Sequence, residues 1–580
     1  MAYIPKNKTL ITALILMGFL VYGYSLSNSF IWDDEEQIVN NALVHSLGNL
    51  PSFFSGSTFN TGGNQSLGGI YYKPLMTSAY ALLYTTFGPR AFFFHLLQLL
   101  LHIASAIGLF WLFKHLLTLP DSKSPGPLGT WLAWGLALVW LVHPLNAETV
   151  IYIAGLQDVL FLFFGLLALI AIIKPHKNTA ARILWPASWL LLSLLSKETG
   201  LVFIFIILAY LLLFNRERLK PYLVSAMAAV GVYSLLRFAL AGIYLQPPSL
   251  NLIARLPLLE RLLNIPLIII FYLQNFLWPN NLSIDQNWAI TAPGWNTFWL
   301  PLLVIIVVLT LIAWGGIYLK KRSYPDWRLY IFFFAWLALG LGLHLQILPL
   351  DGTATSRWFY LPMVGALGLI GLVLKQLQPI NQKLKIAGLI LASLIITALG
   401  IRTVDRTLDW HDGLTLYGHD IKNSSDSFHL ENNYGVELFR HGQYQEAKQH
   451  FIKSTELLPQ WWPNWNNLGA VYEREKNYNQ AKESYQKSVA NSDYYLAYEN
   501  LANLLLWHYD LKEAQAFTDQ SLLKFPYNAK LWQIKALIEY KLDNKDGALA
   551  AIQKSFSLSP TQENYYIYSR LGQNLPLELP

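Results

Sequence analysis

Apolar runs long enough to cross a lipid bilayer follow one another from the N-terminus to about residue 400. One crossing needs about 20 predominantly apolar residues. Of the 580 residues, 54% are hydrophobic and only 13% are charged, which argues against a soluble globular protein. We predict eleven helical crossings, near residues 10–27, 91–117, 129–142, 152–173, 183–195, 200–214, 221–241, 298–319, 329–349, 360–377 and 384–401.

Loops rich in Lys and Arg set the predicted topology. The positive-inside rule places such loops in the cytoplasm together with the N-terminus. The acidic stretch 33–36 then faces the opposite side of the membrane. The net charge of +7 is explained by these loops, so nucleic-acid binding is not expected. The basic loops are 174–178, 215–220, 320–328 and 375–385.

Segment 263–278 is apolar enough to cross but does not fit this topology. A full crossing there would place the basic residues 320–322 outside. We therefore expect the segment to lie along the outer surface or to re-enter the bilayer, which requires that protein cover its backbone polar groups. The C-terminus is then outside.

After residue 401 the sequence becomes polar and aromatic and repeats itself with a period of 34 residues. This period predicts tetratricopeptide repeats, which are paired helices stacked into a solenoid with a groove for peptides. The residues that recur at this spacing are Gly435 with Gly469, Tyr444 with Tyr478, Ala447 with Ala481, Phe451 with Tyr485, Ala502 with Ala536, Ala514 with Ala548 and Pro526 with Pro560.

These patterns predict an all-α protein with two domains. Residues 1–401 form a polytopic transmembrane helical bundle, residues 402–427 a linker, and residues 428–580 a C-terminal tetratricopeptide-repeat solenoid. The repeats are expected on the outer side, where they bind a protein or peptide.

Asp33 and Asp34 follow the first apolar run directly after Trp32. Partial burial and mutual repulsion can raise the pKa of one carboxyl group into the range of a general base. Such a carboxylate could accept the proton of an attacking hydroxyl group. The alternative is a pair of solvated loop acids.

Other charged residues cluster at predicted outer ends of helices. Lys73 and Arg357 are candidates for binding a phosphate group, because Arg donates two parallel hydrogen bonds and Lys supplies a compact charge; interfacial anchoring is the alternative. The remaining candidates could line the same cavity or form structural ion pairs. They are His143, Glu148, Asp158, Lys197 and Glu198. His102, within the predicted crossing 91–117, could line the cavity too, and a buried histidine with satisfied hydrogen bonds is the alternative there.

The sequence contains no cysteine and no P-loop, G-x-G-x-x-G, G-x-S-x-G or H-E-x-x-H motif. The sequence therefore predicts neither disulfides nor a nucleotide-binding site. A donor substrate carried by a lipid fits better than nucleotide-driven chemistry in the cytoplasm. His95 and His102 share a helix face, but no third metal ligand has convincing spacing. No metal site and no cofactor are predicted, and a divalent-metal requirement is left open.

The ordered motifs WDDEEQI, YYKPL, FHLLQLLLH, HPLNAETVIYIAGLQDVL, SKETG, TSRWFYLP and RTLDWHDGLTLYGHDI, followed by tetratricopeptide repeats, resemble a known family. The chain is similar to integral-membrane glycosyltransferases of the GT-C class, in particular to the transmembrane tetratricopeptide O-mannosyltransferases and related bacterial proteins. The resemblance implies transfer of a sugar, often mannose, from a polyprenyl phosphate carrier to a hydroxyl group on the outer or lumenal side, usually with inversion.

By this resemblance Asp33 is the base and Asp34 the second acid of the pair. Arg357 contacts the lipid-linked phosphate, and Lys73 stands where an Arg is expected. The small repeat array and the lack of a long disordered insert favour a multi-pass protein of a bacterial inner membrane, and the endoplasmic reticulum is the alternative if the source is eukaryotic. Two other readings are a transporter or flippase with a peptide-binding domain, and a membrane-anchored tetratricopeptide scaffold.

Overall fold

The computed structural model describes residues 7–58, 70–118, 127–174, 178–244, 252–376, 382–424, 426–491 and 494–578. Within these ranges the regular structure is helical, and the β pairing there is one isolated bridge between Gln286 and Ala354. The predicted all-α class is confirmed. The chain forms two compact units: one holds most residues up to Ser424, and the other holds Ser425–Pro580 with the short segments Asn41–Leu43 and Gly56–Tyr71.

The first unit is built largely from apolar helices. Its α-helices are Asn7–Tyr22, Leu50–Ser55, Pro74–Phe87, Ala91–Leu117, Pro127–Val142, Ala147–Ile151, Leu156–Ile173, Thr179–Ser196, Val202–Phe214, Leu219–Ser234, Leu252–Arg255, Leu258–Leu277, Leu300–Arg322, Tyr324–Gly342, Pro362–Gln376, Gln382–Asp409 and Gly413–Asn423.

Eight helices among the described residues are long and apolar enough to cross a membrane, and three shorter helices are apolar as well. Together with Tyr324–Gly342 they cover every predicted crossing, with two differences in length. Helix Gln382–Asp409 runs eight residues beyond the predicted end into the segment predicted as a linker, where helix Gly413–Asn423 follows. Helix Tyr324–Gly342 ends seven residues early, because Gly340 and Gly342 weaken its last turn.

Segment 263–278 lies within the continuous 20-residue helix Leu258–Leu277, which is long enough to cross. Its buried residues include Asn264 and Tyr272, whereas Leu259 and Leu277 are exposed. The helix contains Pro266 and no break. Its placement on the outer surface stays a prediction.

Helices Tyr324–Gly342 and Pro362–Gln376 form a hairpin that carries Arg357 in its connecting segment. A Cβ at Gly365 would lie 2.5 Å from the backbone nitrogen of Leu337, so only glycine permits this approach. At the base of the hairpin, the Lys375 ammonium group lies 2.8 Å from the buried Asp326 carboxylate. The segment that holds Arg357 is thus fixed to two tightly packed helices.

The second unit consists of four antiparallel helix pairs and a closing helix, as the 34-residue period predicts. The pairs are Phe428–Arg440 with Tyr444–Leu457, Trp462–Arg474 with Tyr478–Ala490, Tyr495–His508 with Leu511–Lys524, and Ala529–Lys541 with Lys545–Leu558, and the last helix is Gln562–Gly572. The repeated alanines, such as Ala481 and Ala514, are fully buried. A Cβ at Gly469 would lie 2.6 Å from the Tyr485 ring, so this glycine lets the two helices of its pair meet.

The substitution Gly469→Ala should destabilise the repeat unit by about 1–3 kcal/mol, since an added methyl group in a packed core forces side chains from their preferred conformers. Thermal unfolding of the full chain measures the loss. Gly572→Ala is the matched control, because a Cβ there meets nothing within 4 Å. Equal stability of the two variants would contradict the packing described.

Candidate active site

The turn after the first membrane helix holds its two acids differently. The Asp34 carboxylate is buried, and its oxygens accept hydrogen bonds from the backbone N–H groups of Ile31 (3.1 Å) and Ala154 (2.7 Å). Burial raises the pKa of Asp34, and the two donors oppose that effect. Trp32 has a φ of 58°, a strained value for a bulky residue. Asp34 therefore clamps this strained turn to the segment at Ala154.

The Asp33 side chain, in contrast, is only partly buried. Its charge acts on Tyr152 and on Arg357. The Trp32 and Tyr152 rings are stacked with centroids 5.8 Å apart, and the Arg357 guanidinium lies 5.7 Å from the Tyr152 ring centroid. Asp33 is thus a partly exposed carboxylate whose charge acts on the residues around Arg357.

Arg357 and Glu148 meet although they are 209 residues apart. The Arg357 backbone N–H donates to Glu148 Oε2 at 3.3 Å, and the Arg357 Nε atom lies 3.6 Å from Glu148 Oε1. Burial raises the pKa of Glu148 to about 7, and Arg357 opposes this shift. The Arg357 Nε atom is buried and makes no hydrogen bond among the described residues.

Two further ion pairs come from the motifs SKETG and AGLQDVL. The Lys197 ammonium group lies 2.5 Å from Asp158 Oδ1, and the other Asp158 oxygen, Oδ2, is buried without a hydrogen bond among the described residues. Glu198 pairs with Arg237 at 2.5 Å, and Arg237 also donates to the Tyr233 hydroxyl at 2.7 Å. The adjacent Lys197 and Glu198 thus bind partners on different helices.

Lys73 belongs to the same cluster. It precedes helix Pro74–Phe87 and is 9% exposed. Burial lowers the pKa of Lys73 to about 8, and the charges of Glu198, Lys197, Arg357 and Asp158 act on it. The structure therefore brings together the predicted residues Lys73, Glu148, Asp158, Lys197, Glu198 and Arg357.

The two predicted histidines are hydrogen-bonded to neighbouring segments of the first unit. His143 Nδ1 accepts from the Leu145 N–H at 3.2 Å, and Nε2 donates to the Phe276 carbonyl at 3.0 Å; burial lowers the pKa of His143 to about 4. His102 bonds the Tyr360 hydroxyl (2.8 Å) and the Leu141 carbonyl (3.0 Å) and is fully buried. Both nitrogens of each ring are thus engaged in hydrogen bonds within the fold, and the placement of the two histidines in the lining of the cavity stays a prediction.

Sequence reasoning missed Arg237 and His344. The buried His344 ring stacks on Trp358 at 5.1 Å and donates from Nδ1 to the Gly340 carbonyl at 3.0 Å. The charges of Lys197, Asp158 and Arg357 act on it. An ionisable residue inside a predicted crossing is itself a functional signal, and this signal could have identified His344. Among the described residues no group of three or more His, Asp or Glu side chains is arranged to hold a metal ion.

Comparison with known proteins supports the resemblance. The tetratricopeptide-repeat profile matches residues 463–492. A protein O-mannosyl-transferase of Caenorhabditis elegans is 23% identical over 463 residues, 77% of this chain and 62% of that protein. Protein O-mannosyl-transferase TMTC3 of Homo sapiens is 22% identical over 517 residues, 83% of this chain and 54% of that protein. The chain resembles protein O-mannosyltransferases over most of its length. It spans about half to three fifths of theirs.

Two solved structures with tandem helices are also similar. The tetratricopeptide protein YrrB, described as having an unusual peptide-binding site, has a TM-score of 0.24 and 17% identity, with 31% of this chain and 89% of that chain covered. The APC/C hetero-tetramer Cut9–Hcn1 has a TM-score of 0.27 and 14% identity, with 86% of this chain and 89% of that chain covered. At such TM-scores nothing further follows from the likeness.

The two acids should respond differently to substitution. Asp34→Asn places an amide NH₂ against a backbone N–H donor, which should cost about 1–3 kcal/mol of stability. Asp33→Asn should cost less than about 1 kcal/mol, since its partly exposed side chain retains access to water. Thermal unfolding in detergent compares the two isosteric variants. A loss at Asp33 as large as that at Asp34 would refute the division of roles.

Proposed function

We propose that this chain is a membrane glycosyltransferase that moves a sugar, with mannose favoured, from a polyprenyl phosphate carrier to a hydroxyl group on a protein. The observation that carries the proposal is a pair of buried polar atoms in one charged cluster that make no hydrogen bond to the described residues: the donor Arg357 Nε and the acceptor Asp158 Oδ2. Buried polar groups in native proteins are almost always hydrogen-bonded. A phosphate oxygen would satisfy the first, and a sugar hydroxyl group the second.

The charges of the cluster suit the phosphate of such a donor. Lys73, Lys197, Arg237 and Arg357 face the carboxylates of Glu148, Asp158 and Glu198. Because burial raises the pKa of Glu148 to about 7, part of its population is neutral near pH 7. The cations therefore outnumber the ionised carboxylates of these pairs, and an anionic phosphate can enter without facing net repulsion.

In the proposed reaction the Asp33 carboxylate accepts the proton of the acceptor hydroxyl group. The hydroxyl oxygen forms a bond to the anomeric carbon while the bond from that carbon to the phosphate oxygen breaks, and the configuration inverts. The electron pair of the broken bond leaves with the polyprenyl phosphate. Arg357 and Lys73 stabilise this developing negative charge, which is the part of the transition state that most needs support.

We place the reaction on the periplasmic face of a bacterial inner membrane, or on the lumenal face of the endoplasmic reticulum, with the repeats on the same side. The described repeats offer a contact for a polypeptide. Five amides form a hydrogen-bonded chain over three successive repeats: Asn500 donates to Asn466 (2.8 Å), Asn466 to Asn467 (3.5 Å), Asn467 to Asn432 (2.9 Å), and Asn432 to Asn433 (3.2 Å). Because side-chain amides match backbone amides as donors and acceptors, we propose that this row binds the acceptor or a partner protein.

The substitution Asp33→Asn should reduce sugar transfer at least about a hundredfold, the low end for loss of a general base. The assay uses purified protein, radiolabelled polyprenyl phosphate mannose or glucose, and periplasmic or lumenal protein as acceptor, with and without divalent metal. Transfer by wild type alone supports the proposal. Turnover within a few-fold of wild type in correctly inserted Asp33→Asn protein would remove Asp33 from this role, and uptake into vesicles without transfer would indicate a transporter.

The donor KM should depend on pH through Lys73. Its pKa of about 8 means that the ammonium charge is present below pH 8 and is lost as the pH rises through that value. Between about pH 7.5 and about 9.5 the donor KM should rise several-fold in wild type, since each pH unit above the pKa removes up to tenfold of the charged form. The Lys73→Arg variant stays charged over this pH range, so its donor KM should not rise. The same rise in Lys73→Arg would show that the pH dependence of the donor KM does not come from Lys73.

The substitution Asn466→Ala removes the second of the five amides in the row, so that Asn500 loses its acceptor and Asn467 its donor. It should lower transfer to protein several-fold, in proportion to the lost hydrogen bonds. Donor hydrolysis in the absence of acceptor should not change. Asn491→Ala is the control, because the Asn491 side chain donates to the Lys487 carbonyl and takes no part in the amide row. Equal effects of both substitutions on transfer would exclude the amide row as the contact.

A further inference from the structure

The motif RTLDWHDGLTLYGHDI contributes no residue to the reaction above. It contains a buried ion pair that is joined by two hydrogen bonds. Arg406 and Asp420 are both nearly fully buried. Arg406 Nη1 and Nη2 donate to the two Asp420 oxygens at 2.6 Å and 2.8 Å. Asp409 and His419 surround the pair, at 3.2 Å from Arg406 Nη1 and 2.8 Å from Asp420 Oδ1 respectively. A buried pair seldom adds stability relative to apolar residues, so its role needs another explanation.

One set of contacts leads from this pair to Arg357 through the backbone. Asp420 Oδ2 accepts the N–H of Ile284 at 2.9 Å. Two residues later Gln286 pairs with Ala354, and its carbonyl accepts the Thr353 N–H at 3.0 Å. The segment fixed in this way is the one that ends in Arg357.

A second set of contacts leads to the Arg357 side chain through aromatic rings. The Arg406 guanidinium lies 5.7 Å from the Trp410 ring centroid. The Trp410 and Tyr152 centroids are 5.7 Å apart, and the Arg357 guanidinium lies 5.7 Å from Tyr152. The first set begins at Asp420 and ends at the backbone of the segment that leads to Arg357. The second set begins at Arg406 and ends at the Arg357 guanidinium.

We propose that the Arg406–Asp420 pair is a positioning device that holds Arg357 in the orientation needed to bind the donor phosphate. Arg406 and Asp420 act through other residues and do not touch the donor. The consequence for donor binding rests on the function proposed above, whereas the effect on the Arg357 segment does not. The two can therefore be tested separately.

The first arm measures backbone hydrogen exchange in the full chain without any donor. Asp420→Asn removes the ionic partner of Arg406 but keeps the shape of the side chain, and it should speed exchange across residues 351–358 roughly tenfold, as loss of a charged hydrogen bond permits. Glu431→Gln is the matched control, because the buried Glu431 carboxylate pairs with Lys453 at 2.5 Å in the other compact unit. It should leave exchange in residues 351–358 unchanged.

The second arm measures kinetics with polyprenyl phosphate mannose. Asp420→Asn should raise the donor KM roughly tenfold and leave the acceptor KM unchanged, a split that general loss of stability does not produce. Arg406→Lys keeps the positive charge but loses the two parallel hydrogen bonds, so it should raise the donor KM by a smaller factor. This variant replaces Asp420→Asn if Asp420→Asn does not fold.

Unchanged exchange in residues 351–358 would overturn the proposal, and so would faster exchange with an unchanged donor KM. Faster exchange together with the predicted KM split would support it. If wild-type protein neither transfers nor hydrolyses any polyprenyl phosphate sugar, the proposed function fails, and the exchange arm alone decides whether the pair fixes the Arg357 segment.

Discussion

Charge buried among apolar helices is the constraint on which the candidate active site depends. An ionised side chain away from water is costly unless it is paired, and the first compact unit meets this condition pair by pair. Lys197 faces Asp158, Arg237 faces Glu198, and Arg357 faces Glu148. Each pair joins segments that are distant in sequence, so neutralising the charges also assembles the cluster. Two atoms of these pairs, Arg357 Nε and Asp158 Oδ2, make no hydrogen bond to the described residues, and a ligand could satisfy both.

The same constraint separates two adjacent acids. Asp34 is tied by two backbone N–H groups and holds a turn in which Trp32 has a positive φ. Asp33 stays partly exposed, and its charge reaches Arg357. A strained backbone position that neighbouring contacts maintain is a common feature of functional sites. The hydrogen bonds of Asp34 thus fix the turn that carries the partly exposed Asp33.

Local patterns in the sequence predicted much of this structure. Apolar length predicted the helices of the first unit, and the 34-residue period predicted the helix pairs of the second. The close approach of Gly469 and Tyr485 is supplied by the structure. The charged motifs also identified most members of the cluster. What they could not indicate was the partner of each group. Arg237 lies in a helix with no motif, and its pairing with Glu198 depends on tertiary contact.

The histidines illustrate the same limit. His102 and His143 were predicted to line the cavity, and the sequence did not indicate that both rings bond to groups that only the folded chain supplies, including Tyr360, which is 258 residues from His102. His344 meets the cluster because helix Tyr324–Gly342 ends early, and hydropathy had extended that helix over it. Helix ends are set by local glycines and by tertiary contacts, which an apolar run does not reveal.

The most direct test of the phosphate-binding role of this cluster is equilibrium binding of polyprenyl phosphate, without any sugar, to wild-type protein and to Arg357→Gln. The cluster predicts that loss of the guanidinium charge weakens binding at least about tenfold, as expected for a buried charge-assisted hydrogen bond. Equal affinity of the two proteins, each shown to be folded, would mean that the phosphate binds elsewhere and that the cluster serves the fold alone.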